Sequence, residues 1–268
     1  MNIVVCVKHV PDATADRHFE SDLTVDRIGV DGLLSELDEY AVEQALRIKE
    51  ARAAEGEEVT VTALTVGPEK AADAIRKSLQ MGLDAGVHVL DDAIAGSDAI
   101  ATSLVLATAL LKHGGGTPPD LVMCGMASTD ASMSVVPAML AERLGVPQVT
   151  FAAVVETRGQ EVRIKRDGDS ATEVVGATMP LVVSVTDQSG EARYPSFKGI
   201  MAAKKKPVET WSLADLGLSP DQVGLSVAWS AVREATARPP RTAGEIVTDD
   251  GGSGASALTG FLAAKKFI

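Results

Sequence analysis

Short apolar runs alternate with longer segments of helical spacing over the first 150 residues of the chain. Ile3 to Val7 is an apolar run that stops at a polar turn. From Glu39 to Ala54, Ala41, Val42, Ala45, Leu46 and Ile48 recur with the period of a one-sided helix. Val59 to Val66 alternates Val and Thr as strands do, and Gly67-Pro68 closes that strand and opens a helix to about Met81. Gly86 to Leu90 predicts a strand, Ser97 a cap on a helix from Asp98 to Lys112, Leu121 to Cys124 a buried strand, and Ala131 to Leu144 a further helix. Such alternation predicts an α/β fold with a mostly parallel sheet sandwiched by helices.

Three segments depart from the alternation. Residues 11 to 33 carry Asp12, Asp16, Asp22, Asp26, Gly29 and Gly32 and read as an inserted loop or hairpin. Gln148 to Val185 is strand-rich, with runs at Val149 to Glu156, Glu161 to Lys165 and Leu181 to Val185, and is expected to extend the sheet. After Pro207, Pro220, Pro239-Pro240 and Gly251 to Gly254 mark an extended tail, and Leu258 to Ile268 a short amphipathic helix. The expected division is therefore an α/β domain over 1–207 and an extended C-terminal arm over 208–268. A tail of this composition cannot bury itself, so it is either disordered or wrapped on a partner.

Composition narrows the function classes. With 268 residues, 46% of them apolar, the chain can bury a full-size core. A net charge of −12 argues against nucleic-acid binding, which needs a positive surface. Cys6 and Cys124 sit in apolar runs with no Cys-x-x-Cys, as buried thiols in a reducing compartment would. No apolar run approaches a membrane span, and no basic leader precedes the first strand, so a cytoplasmic protein without membrane insertion is expected. The histidines His9, His18, His88 and His113 have no metal-like spacing, and neither a phosphate-binding Gly-Lys loop nor a nucleophile with a base is present. No catalytic residue or metal site is expected.

Chemistry is expected at the carboxyl ends of the strands, where open parallel sheets bind ligands. The end at Cys124-Gly125 runs into Met126-Ala127-Ser128-Thr129-Asp130-Ala131-Ser132-Met133-Ser134. Gly125 would allow close backbone approach, the hydroxyls and free N–H groups would suit a phosphate, and the same Ser and Thr would equally cap a helix. A second cluster lies at 187–207. Two of the nine aromatic residues, Tyr194 and Phe197, appear there with Ile200 and Met201 among Arg193, Lys198, Lys204, Lys205 and Lys206. Apolar anchors ringed by charge suit a protein-docking loop; a strand-to-helix connection with Phe197 tucked into the core is the other reading.

Asp187, Glu191, Arg193-Tyr194-Pro195, Ile200-Met201 and Ala203 to Lys206 resemble the signature loop of the beta (small) subunit of electron-transfer flavoproteins. Val4 to Lys8, Asp38 to Glu43, Gly67-Pro68, Met81-Gly82 and Asp120 to Gly125 match the same family in order and approximate spacing. The resemblance implies a Rossmann-like, adenine-nucleotide-binding fold that holds AMP. Its contacts would fall on Cys6, Ser35, Glu36, Leu37, Asp38, Val66, Gly125, Met126, Ala127, Ser128, Thr129, Asp130, Ser132, Met133 and Ser134. The family's usual Gly-Lys/Gln-Gln-x-Ile-Asp is Gly125-Met126-Ala127-Ser128-Thr129-Asp130 here, so only its ends are kept, and its Asn-Pro-aromatic stretch is replaced around Glu36-Leu37-Asp38.

The resemblance further implies an electron carrier rather than an enzyme. An alpha partner would hold most of the FAD, primary dehydrogenases such as acyl-CoA dehydrogenases would dock on residues 194–206, and a membrane quinone oxidoreductase would receive the electrons. Arg166-Asp167 matches a basic-acidic pair that positions the flavin domain, although Asp167-Gly168-Asp169 also reads as a plain turn. Three alternatives are carried. A bifurcating variant would hold a second FAD in place of AMP; a stand-alone stress-type protein would bind ATP; an ATP-pyrophosphatase-like enzyme lacks its expected loop after the first strand.

Overall fold

The computed structural model describes all 268 residues. Its strands are β1 (Asn2–Cys6), β2 (His9–Pro11), β3 (Gly32–Leu34), β4 (Thr60–Val66), β5 (Ala85–Val89), β6 (Leu121–Gly125), β7 (Gln148–Ala152), β8 (Val154–Arg158), β9 (Glu161–Asp167), β10 (Thr172–Thr178), β11 (Leu181–Val185) and β12 (Val208–Trp211). The helices are α1 (Glu36–Ala54), α2 (Ala72–Met81), α3 (Ala99–His113), α4 (Val136–Leu144), α5 (Phe197–Ala203) and α6 (Ser253–Ala264).

Seven strands form one sheet in the order β12-β5-β4-β1-β6-β11-β7, and every neighbouring pair runs parallel. The α/β architecture expected from the alternation is thus present. Each central strand feeds two cores. Ile3, Val5 and Val7 join Ala41, Val42, Leu46, Ile75 and Leu79 of α1 and α2 on one face. Val4 and Cys6 join Val105, Leu106, Leu110 and Leu140 of α3 and α4 on the other. Burial on both faces is why these strands read as unbroken apolar runs. Each fully buried Leu or Ile contributes about 1.5–3 kcal/mol.

The strand-rich segment divides according to its pattern. β11 is buried along its whole length and takes an interior place in the main sheet. β9 buries only alternate residues, Val162 and Ile164, and pairs with β8 and β10 as a separate antiparallel sheet. The expected extension of the sheet therefore holds for β7 and β11 and not for β8 to β10. The 11–33 insertion is anchored by the antiparallel pair β2 and β3.

Helix starts move for local reasons. Asp98, not Ser97, caps α3, accepting from the Ala101 N–H at 3.0 Å. The helix expected from Ala131 begins at Val136, because Pro137 in its first turn would clash with a helical carbonyl four residues earlier. The intervening residues form a loop with Ser132 and Ser134 at φ 53 and 57.

The boundary expected at Pro207 is corrected. β12 adds to the edge of the sheet, Val208 to Trp211 pairing with Gly86 to Val89. Trp211, Leu213, Leu216 and Val223 are buried in the core on the α3/α4 face. An unpaired β5 edge needs cover, and an aromatic strand four residues long supplies it. The first compact unit therefore runs from Met1 to Arg233, and the second from Glu234 to Ile268. In the second unit α6 follows a stretch without helix or strand, and Leu258, Phe261, Phe267 and Ile268 are exposed.

Trp211 is 8% exposed, so Trp211→Ala is expected to cost about 3 kcal/mol and to lower the thermal midpoint followed by circular dichroism. A chain ending at residue 233 should retain the first unit's cooperative unfolding, and one ending at 207 should lose it. Equal midpoints for the two truncations would make β12 dispensable.

Candidate functional site

The chain leaves β1 toward β4 and β5 on one side and returns to β6 on the other, so the topological switch point lies between β1 and β6. Asp38, in the first turn of α1, sits across that gap. Its carboxylate accepts from the backbone N–H of Lys8 at 2.9 Å and of Gly125 at 3.3 Å, tying together the ends of the two strands. Ser35 adds a third tie, its N–H donating to the Lys8 carbonyl at 2.8 Å, while its hydroxyl is buried with no partner. Gly125 is glycine for a reason other than ligand approach. A Cβ there would lie 2.6 Å from Asp38 Oδ1 and 2.7 Å from the Leu37 carbonyl, so the start of α1 occupies that space.

The loop after β6 is held from outside. Asp130 pairs with Lys8 Nζ at 2.9 Å and Arg27 Nη2 at 2.7 Å, with its side chain only 3% exposed. Lys8 also reaches Ser128 Oγ at 3.4 Å, and Arg17 donates to the Thr129 carbonyl at 3.3 Å. Burial opposes ionisation of Asp130, but the charge and hydrogen bond of Lys8, then Ser128 and Arg27, hold its carboxyl far below the ordinary range. Burial pushes the Lys8 ammonium down, with Asp130 opposing. Burial raises Asp38 to about 7 against the pull of the two N–H donors.

Sequence reasoning placed Cys6, Ser35, Leu37, Asp38 and Gly125 to Ser134 at this crevice, and the fold brings them together at the ends of β1 and β6. Val66 ends β4, one strand over, and Glu36 and Met133 face solvent. Asp130 is a support of the loop, its carboxylate already spoken for by two cations. The Cys6 thiol beside it, together with burial, pushes the Cys124 thiol well up, so the Cys124 sulfur is not a ready nucleophile. Lys8, Arg17 and Arg27 were not singled out as site residues. Arg17 and Arg27 stand among the aspartates of the insertion with no local pattern, and only the fold over β2 and β3 carries them to the loop.

A donor-rich surface results. The N–H groups of Met133 and Ser134 make no hydrogen bond within the chain, and two cations face a single loop carboxylate. Free donors and surplus positive charge fit a phosphate.

The second cluster lies on the surface. Tyr194 is 92% and Phe197 81% exposed, which overturns a core place for Phe197. Ile200 and Met201 are exposed beside them, with Lys204 and Lys205. The segment is nevertheless firmly anchored to α1. Arg193 Nε donates to Glu43 at 2.7 Å and Arg193 Nη2 to Glu50 at 3.2 Å, Arg47 Nε donates to Glu43 at 2.8 Å, and Gln44 donates to the Ser189 carbonyl at 2.7 Å. Its hydrogen bonds to the Glu50 and Glu43 carboxylates raise the Arg193 pKa further. Lys206, expected among the docking residues, donates from its Nζ to the Leu79 carbonyl near the end of α2 at 3.0 Å.

Arg166 and Asp167 are satisfied within their hairpin. Arg166 pairs with Glu173 at 2.6 Å and Asp167 accepts from Thr172 Oγ1 at 2.6 Å. Both line a cavity of about 370 Å³ with Met126, Phe151, Asp187 and Gln188, which joins the hairpin tip to the start of the β6–α4 loop.

Asp38 makes stability depend on pH. Its carboxyl rises from 3.8 in the unfolded chain to about 7, so its favourable contribution is complete below about pH 4 and is lost as pH rises through 7. Asp38→Asn should destabilise the chain at pH 5, because an amide N–H₂ then opposes a backbone donor, and that deficit should narrow at pH 8. Urea unfolding at both pH values measures it; a deficit that stays the same at pH 8 would mean Asp38 is ionised throughout.

Residues 22–216 match the family described as electron transfer flavoprotein domain. The electron transfer flavoprotein subunit beta of Mycobacterium bovis is 46% identical over 268 residues, which covers 100% of this chain and 99% of the relative. The corresponding subunit of Megasphaera elsdenii is 32% identical over 255 residues, 93% of each chain. The caffeyl-CoA reductase-Etf complex subunit CarD of Acetobacterium woodii is 32% identical over 265 residues, 99% of this chain and 97% of the relative. On full-length similarity, a matching domain and the fold described above, the chain belongs to the electron transfer flavoprotein family, on the side of its beta subunits.

Proposed function

We propose that this chain completes a heterodimeric electron carrier with an alpha subunit, holds AMP at the switch-point crevice, and docks primary dehydrogenases through Tyr194, Phe197, Ile200 and Met201. FAD, bound mainly by the alpha partner, supplies the redox chemistry. A membrane quinone oxidoreductase takes the electrons onward. The observation that carries this reading is the pair of exposed aromatics, Tyr194 just before α5 and Phe197 at its first residue, on a segment anchored by Arg193 to Glu43. A free protein exposes such a pair at a cost in solubility, and a partner's pocket repays it.

The residues of the chain have separate tasks. Asp38 and Ser35 fix the strand ends beneath the nucleotide, and the loop 126–135 offers donors to its phosphate. Lys204 and Lys205 rim the docking anchors and steer an acidic partner. Arg166 and Asp167 stand at the hairpin tip, where a mobile flavin domain could be met. The second unit supplies apolar Leu258, Phe261 and Phe267 for the alpha subunit. No helix is long and apolar enough to cross a membrane, in keeping with a carrier that works in the cytoplasm and meets the quinone reductase at its surface.

Co-expression with an alpha chain should yield a heterodimer that releases flavin and AMP on denaturation. Two flavins and no AMP would favour the bifurcating arrangement; a lone chain that binds ATP would favour the stand-alone reading. Phe197→Ala should raise KM for an acyl-CoA dehydrogenase about tenfold, the size expected of one hot-spot side chain, with flavin content and assembly intact. An unchanged KM would remove Phe197 from the docking surface.

A further inference from the structure

The loop between β6 and α4 is not shaped by its own bonds alone. Within it, Ser128 accepts from the N–H of Ser132 at 2.9 Å and from its hydroxyl at 3.3 Å, and Asp130 accepts from the N–H of Ala131. Ser132 and Ser134 both lie at positive φ, where an L side chain crowds its own backbone. Residues stay in such conformations only when their surroundings over-determine them. The surroundings here are three cations from another part of the chain. Lys8 and Arg27 clasp the Asp130 carboxylate from its two oxygens, and Arg17 binds the neighbouring Thr129 carbonyl.

The two clasping cations differ in their footing. Lys8 follows β1 directly, and its backbone is tied to Asp38. Arg27 belongs to the insertion between β2 and β3. It is presented by a turn in which the buried Asp26 accepts from the N–H groups of Ile28 and Gly29 and pairs with His18 at 3.0 Å. Arg27 Nη1 also reaches the His9 carbonyl at 3.5 Å. The insertion thus reaches over the end of the sheet and holds the loop through two guanidiniums, Arg27 on the Asp130 carboxylate and Arg17 on the Thr129 carbonyl.

We propose that Arg27 is a positioning residue of the nucleotide crevice: by ion-pairing Asp130 it holds the loop 126–135 in the strained shape that presents its donors, so that the insertion sets how long the nucleotide stays. The inference rests on the crevice holding an adenine nucleotide. It assigns Arg27 no contact with the ligand. Removing Arg27 leaves the Asp130 carboxylate with Lys8 alone, and the loop then relaxes toward conformations in which Ser132 and Ser134 leave positive φ. Release should quicken more than capture slows, because the loop's shape matters most once the phosphate is in place.

The test uses the full-length heterodimer loaded with radiolabelled AMP and chased with unlabelled AMP. Arg27→Gln should speed AMP release about tenfold with flavin content retained, and Arg27→Lys should recover part of the loss. Asp130→Asn should speed release similarly, and Arg27→Gln with Asp130→Asn should be no faster than Asp130→Asn alone, because both remove one tie. Amide hydrogen exchange over residues 126–135 gives a reading that needs no ligand, and it should rise in Arg27→Gln. Unchanged AMP release in Arg27→Gln, rate increases that multiply in the double variant, or unchanged exchange would overturn the proposal. A wild-type heterodimer without adenine nucleotide, but with raised loop exchange in Arg27→Gln, would instead remove the AMP reading and leave the latch.

Discussion

The carboxylate of Asp38 is where the architecture and the crevice become one problem. A parallel sheet that reverses its strand order leaves two strand ends side by side with their N–H groups unpaired, at the switch between β1 and β6. Asp38 accepts from both, and it can do so only because α1 begins in the gap and because residue 125 has no side chain. A buried acceptor with two donors offsets much of its desolvation, yet its pKa remains near 7, so the tie carries a cost. Helix, strand ends and loop all take their positions from that contact.

The same helix joins two surfaces that serve different purposes. The first turn of α1 lies at the crevice, and its middle carries Glu43, Gln44, Arg47 and Glu50, which hold Ser189 and Arg193. The stretches Asp38 to Glu43 and Arg193 to Pro195 therefore meet in space through the buried Glu43. A buried carboxylate shared by two guanidiniums is costly to break from either side. This explains how the short, exposed segment leading into α5 can present Tyr194 and Phe197 in a fixed place. Preorganised anchors lose less entropy on docking than mobile ones.

Charge in this protein is local rather than global. A chain of net −12 concentrates Lys8, Arg17 and Arg27 around one loop and Lys204 and Lys205 around one docking segment. Net charge argues against a nucleic-acid surface, but as a sum over the whole chain it says nothing about such clusters. The crevice owes two of its three cations, Arg17 and Arg27, to the insertion, the least regular part of the first unit.

The sequence by itself determined the α/β alternation, the two-faced burial of the central strands and the family, because these depend on local periodicity and on motifs in order. Ile3 to Val7 and Leu181 to Val185 are legible as buried strands since each residue carries its own hydrophobicity. Tertiary structure alone decided three things. It sent β12 to the sheet edge, since Trp211 completes a core that lies on β5 and α3. It made Asp130 a support and Gly125 a packing glycine, since both depend on what Lys8, Arg27 and Leu37 occupy across the switch point. It put Phe197 in solvent, on a segment that ties such as Arg193 to Glu43, 150 residues away, anchor to α1. Long-range contacts of that kind leave no periodic trace, because either partner alone looks like an ordinary solvated charge.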